Sequence, residues 1–202
     1  MKFSTRQLVT MAVFGALWGV VEIGLGSVLH AIKLPLTGLT LAVVGLLIAL
    51  IGRLFVPRRG STLFIGVIAM VLKLFSIGNI IIGPMIGILV EALIAELILS
   101  AFSKPLRLSF ILACAGGALW TLVQPFVTGI LIFGRDLLSI WLDMLDLGNR
   151  IFGLNTQAVW LILSALVALH FIIGGVGGWL AWGIGLLLSN RLGKDFSQAN
   201  KS

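Results

Sequence analysis

Apolar runs of about 20 residues recur along the whole of this chain, with few charged residues to interrupt them. A helix of that length crosses the roughly 30 Å hydrocarbon core of a bilayer, so several such runs leave a chain little choice of environment. Six are legible: 8–29, 36–56, 62–82, 83–102, 108–133 and 158–188. Of the 202 residues, 59% are hydrophobic and 10% charged, where soluble chains carry roughly 25% charge. The expected fold is all-α and polytopic, with six transmembrane helices in a single membrane domain spanning residues 1–202. The last run is too long for a straight crossing, and Gly174, Gly175, Gly177 and Gly178 mark it for a kink or for close helix packing.

The formal charge of +7 would suggest nucleic acid in a soluble protein. Here the basic residues gather at the ends of the runs, and no nucleic acid is expected. With the N-terminus in the cytoplasm, ten of the 14 Lys and Arg fall on that side (Lys2, Arg6, Arg53, Arg58, Arg59, Lys104, Arg107, Arg191, Lys194 and Lys201). Lys33, Arg135 and Arg150 fall outside, and Lys73 lies in mid-span. That bias places both termini in the cytoplasm. The first run, behind Lys2 and Arg6, imitates a signal peptide but is long and has no convincing cleavage site, so it is expected to remain as the first helix. The longest outer loop, 134–157, holds Asp136, Asp143 and Asp146 among Ile140, Trp141, Leu142, Leu145 and Leu147. It is expected either to lie flat and cap a cavity or to serve as a plain amphipathic connector.

Ionisable side chains in a bilayer are costly and normally face the bundle interior with a partner. Glu22, Lys73, Glu91 and Glu96 qualify. If the third and fourth spans join at residues 82 and 83, Lys73 and Glu91 lie at one depth and are expected to pair. Glu22 and Gln124 come to the same level, roughly 12 to 14 Å below the outer surface at 1.5 Å per residue. Two acids, a base and an amide in one layer exceed what helix packing requires and suggest the floor of an outward-facing pocket. Trp18 and Trp120, each one turn from a member of the layer, are candidate flanking aromatics. Asn79 and Pro84 bracket the tight outer hairpin, with Gly78, Gly83 and Gly87 beside them, and Asn79 is a further pocket candidate. Once Lys73 neutralises one carboxylate, the other can attract a cationic or amine-bearing ligand. Glu96 is deeper and can reach toward His170, which reads as a packing residue, while His30 reads as an interfacial one. No metal-ligand spacing or cysteine cluster occurs, so no metal or cofactor is expected. The lone Cys114 sits in an apolar run, where a thiol packs as a small hydrophobe.

Ala12, Gly15, Ala16 and Gly19 give the first span overlapping small-x-x-x-small pairs, a smooth face for another helix. Together with six spans, about 200 residues, internal termini and an outer polar layer, this resembles the substrate-binding S components of energy-coupling factor (ECF) vitamin transporters. The segment from Gly83-Pro84-Met85 through Glu91-Ala92 to Ala95-Glu96 is similar to the fourth helix of members that bind thiamine or its pyrimidine precursor. The resemblance implies a prokaryotic cytoplasmic-membrane protein that captures a small vitamin or precursor outside and delivers it inward. It also implies that Ala12 and Ala16, with Gly15 and Gly19, dock on a transmembrane coupling subunit driven by two ATPases on separate chains. No Walker A pattern is present, so ATP hydrolysis is not expected here. Two other readings stay open. One is a proton-coupled secondary transporter using the buried carboxylates; the other is an intramembrane enzyme using Glu91, Glu96 or His170.

Overall fold

The computed structural model describes residues 3–76, 82–102 and 104–199. Its regular elements are all helical: α1 (Thr5–Ala31), α2 (Thr37–Phe55), α3 (Ser61–Leu72), a 3-10 turn (Lys73–Phe75), α4 (Ile82–Ala101), α5 (Arg107–Leu131), α6 (Leu137–Phe152) and α7 (Val159–Ala199). Five of these, α1, α2, α4, α5 and α7, are long and apolar enough to cross a membrane. Exposed Val13, Val20, Leu131 and Trp160 give the bundle the apolar surface of a membrane-embedded protein.

Local chemistry sets the boundaries. Ser4 and Gln7 form a reciprocal capping box that starts α1. Pro35 follows its end, with Lys33 and Leu36 in left-handed conformations that turn the chain into α2. Gly60, at φ 89°, starts α3, and only glycine adopts that geometry freely. Asp136 caps α6 by accepting from the Ser139 backbone N–H at 2.8 Å.

The third expected span, 62–82, takes a different form. An α-helix of 12 residues ends at Leu72 and tightens into the 3-10 turn at Lys73, and residues 77–81 lie outside the described set. The last span is a single 41-residue helix that continues through its glycine cluster. Those glycines serve close packing: a Cβ at Gly174 would lie 2.7 Å from Ala115 Cα, and one at Gly178 would collide with the Phe110 carbonyl. α5 and α7 accordingly share the most extensive helix contact.

The core runs through Met11, Trp18, Leu46, Leu50, Ile65 and Phe110, all fully buried. Trp18 wedges between α2 and α3, against Gly45, where any Cβ would strike the indole. The bundle has two distinct ends. At one, Arg53, Glu96, Gly60 and Ser61 meet, with the side chains of Arg58 and Gln7 joined nearby. The other carries α6, the α1–α2 turn and Lys73, and two compartments open there.

Candidate functional site

A compartment of about 180 Å³ opens between α1, α2, the 3-10 turn, α4 and α5. Its walls include Glu22, His30, Gly38, Lys73, Glu91 and Gln124. Four of the expected pocket residues thus meet in one space. Of the other two, Trp120 is not among the lining residues; its indole N–H is buried without a partner among the described residues. Asn79, with Gly78, lies outside the described residues. Trp18, the second candidate aromatic, is a core residue at 0% exposure and does not reach the compartment.

The expected Lys73–Glu91 pair does not form. Lys73 Nζ instead lies 3.3 Å from Glu22 Oε1 and also donates to the Glu22 carbonyl at 3.3 Å. The reason lies in the α1–α3 contact. Cβ atoms at Gly15 and Gly19 would lie 2.7 Å from Ile68 Cβ and 2.8 Å from Leu72 Cβ. These two glycines bring the parallel helices together in a register that carries Glu22, the next residue on the same face, to Lys73. Gly26, one turn further, lies beside the ammonium: a Cβ there would make an ordinary contact with Nζ at 3.7 Å.

No hydrogen bond or ion pair joins the Glu91 side chain to another described residue, though it is 95% buried and lines the same space as the Glu22–Lys73 pair. Gln124 Nε2 donates to the Gly83 carbonyl at 3.0 Å, which fixes the amide against α4. Gly87 makes room for it, since a Cβ would lie 2.7 Å from Gln124 Oε1. The compartment therefore presents a neutralised carboxylate, a carboxyl without a counter-charge among the described residues and an oriented amide. An ionised carboxylate in such a place is costly unless a cation or donor meets it.

His30 is a wall residue that sequence reasoning placed at an interface. Its Nδ1 lies 2.7 Å from the Gly26 carbonyl, and the spacing Glu22, Gly26, His30 at successive fourth residues was the available signal, because it aligns all three on one helix face.

Glu96 and His170 belong elsewhere. Glu96 accepts from Gly60 N at 2.7 Å, Thr62 N at 3.0 Å and Ser100 Oγ at 2.6 Å, and pairs with Arg53 at 3.3 Å. It caps the α3 N-terminus at the far end of the bundle, so its expected approach to His170 is not made. Arg53, counted above as a topological charge, is buried in this cluster and also bonds Ser61 and the Arg58 carbonyl.

His170 lines a second compartment of about 290 Å³, between the start of α2, α5, α6 and α7, with Gly38, Thr121, Pro125, Ile140 and Met144 among its walls. The amphipathic α6 covers it: Ile140 packs on Gly129 of α5, and Ile162 of α7 packs on Gly148 of α6. An Arg135–Asp143 pair at 2.6 Å lies at its edge. Of the two expectations for the 134–157 loop, a cavity cap describes it.

Ala12 is exposed and Ala16 half-buried on the outer side of α1, beside exposed Val9, Val13 and Val20. Gly15 and Gly19 are used up inside the chain against α3, so of the four small residues only the alanines face outward. Comparison with protein-family models, with curated proteins and with solved structures gave no match.

Proposed function

We propose that this chain is the substrate-capture (S) subunit of an ECF-type ABC importer, binding a small vitamin or precursor that carries a cationic or amino group. One observation carries the reading. Within one compartment Lys73 satisfies Glu22, while the Glu91 carboxyl has no partner among the described residues. Gln124 beside it adds an oriented amide, and the combination suits a small flat ring bearing an amino group, as in thiamine or its pyrimidine precursor.

In this reading α3 with its 3-10 turn is a short sixth crossing, both termini are cytoplasmic, and the compartments open to the outside of a prokaryotic cytoplasmic membrane. Ala12 and Ala16 form the docking strip for a transmembrane coupling subunit, and two ATPases on separate chains supply the energy. Glu91 also supports a second reading, a proton-coupled secondary transporter, because a carboxyl without a fixed partner can carry a proton.

Native mass spectrometry of the protein purified in mild detergent tests the first reading. A co-purified vitamin-like mass, absent from Glu91→Gln, is expected. A protein that carries no ligand, binds no member of a vitamin panel and takes up solute only under a proton gradient would transfer the role of Glu91 to the second reading.

A further inference from the structure

The larger compartment has features that sealing a bundle does not require. His170 is 2% exposed, and its Nδ1 lies 2.8 Å from the Leu166 carbonyl. A carbonyl only accepts, so Nδ1 carries the proton and Nε2 presents a lone pair. No described residue donates to it. A second acceptor arises in α5. Pro125 has no N–H, so the Thr121 carbonyl lacks its helical donor, and both residues line this compartment. His170 and Thr121 both line this largely apolar compartment, so it offers two acceptors to a ligand that brings donors.

Gly38 is a wall of both compartments, and a Cβ built there finds no atom within 4 Å. Gln124 faces the smaller space while its neighbour Pro125 faces the larger, so α5 also forms a wall of each.

We infer that the two compartments form one bipartite site for an elongated ligand, its amino end at Glu91 and a largely apolar arm bearing an N–H or O–H donor at His170. The inference rests on the capture reading and adds a ligand class to it: an amine joined to a ring that is itself a hydrogen-bond donor, passing beside Gly38. It also gives α6 a role, since Ile140, Met144 and Leu147 would close over the arm.

The test uses the full chain in mild detergent with 4-(trifluoromethyl-diazirinyl)benzylamine, an amine whose far end generates a carbene on illumination, and mass-spectrometric mapping of the adducts. Adducts are expected on walls that belong to the larger compartment alone, Thr37, Leu39, Thr121, Pro125 or 140–147, with loss of labelling in Glu91→Gln and in Gly38→Leu but not in Gly38→Ala, which checks that the position tolerates a side chain. Tryptamine should compete better than 1-methyltryptamine, which lacks the indole N–H, and His170→Phe should erase that difference. Adducts confined to the walls of the smaller compartment and still dependent on Glu91 would overturn the bipartite site and spare the capture reading. Labelling that ignores Glu91→Gln, or no labelling at all, would overturn both. Equal competition by the two tryptamines in the wild type would remove His170 as the anchor and with it the proposed ligand class.

Discussion

Replacing Lys73 with Met takes one partner from a buried ion pair and strands the other. The charged atoms lie 3.3 Å apart, with about a tenth or less of each side chain exposed. At an effective dielectric of about 20 their attraction is about 5 kcal/mol. Most of that offsets the cost of removing two charges from water, so the intact pair adds little net stability. Removal of one partner leaves the desolvation cost uncompensated, and the loss should be about 3–5 kcal/mol. Glu22→Gln alone should cost a comparable amount, while the double variant Lys73→Met/Glu22→Gln should fall much less, because no stranded charge remains. Denaturant unfolding in mild detergent, followed by helical circular dichroism and run as a double-mutant cycle, measures the coupling. A value of at least about 2 kcal/mol is expected for Lys73 with Glu22, and a clearly smaller one for Lys73 with Glu91. Additive Lys73 and Glu22 effects, or stronger coupling to Glu91, would refute the pairing and the α1–α3 register that produces it.

Glu91→Gln should raise stability by about 1 kcal/mol while abolishing capture of the ligand, the trade expected where a buried group is kept for function; unfolding and ligand titration on one preparation check both signs. Glu96→Ala strands Arg53 and uncaps α3, so a loss of about 3–5 kcal/mol is expected, with ligand affinity retained in whatever protein folds, since this cluster occupies the end of the bundle away from the compartments. Ala12→Trp should abolish uptake and leave ligand binding intact, whereas Gly15→Ala, whose Cβ would lie 2.7 Å from Ile68 Cβ, should cost about 1–3 kcal/mol of stability by overpacking; uptake by Ala12→Trp cells at the wild-type rate would remove the docking strip. The Ser139 backbone N–H holds the Asp136 carboxyl below its ordinary range, so its capping of α6 is complete above the unfolded value of about 3.9 and is lost as pH falls through the lower folded value. Protection of 137–152 against hydrogen exchange, taken relative to the intrinsic amide rate at each pH, should fall in that acid window, and Asp136→Asn, which caps without titrating, should remove this change in protection.

The fold class was legible because lipid imposes one rule on every helix: a run of about 20 apolar residues. That rule reports length and says little about local winding, so it carried the third span past Leu72, where the helix in fact ends and tightens. The polar layer was legible for a related reason. Depth follows from counting 1.5 Å per residue, and Glu22, Lys73, Glu91 and Gln124 do reach one compartment. The aromatic candidates failed because one-turn proximity fixes height but leaves open whether a neighbour faces the cavity or the core, and Trp18 found its place against Gly45. Glu96 was misplaced because two of its donors, the backbone N–H groups of Gly60 and Thr62, carry no side-chain signature, and Arg53, its ionic partner, reads as one of the basic residues at the ends of the runs.

The choice of partner for Lys73 shows what further reading can extract. Depth alone makes Glu22 and Glu91 equivalent, so azimuth has to decide. Gly15, Gly19, Glu22 and Gly26 follow one another at intervals of four, three and four, which is a single stripe on a helix. Small residues on such a stripe mark the face against which another helix lies closest, so the acid among them points into the same contact. The structure puts α3 there, with Ile68 on Gly15 and Leu72 on Gly19, and the next residue of the parallel neighbour is Lys73. The same stripe that fixes this pair excludes Gly15 and Gly19 from an outside partner and frees Glu91 from Lys73. In the proposed capture reading, the docking strip of Ala12 and Ala16 and the carboxyl offered to a ligand both follow from this one helix contact, and a substitution that shifts its register, such as Gly19→Leu, should impair ligand capture at a distance from every cavity wall.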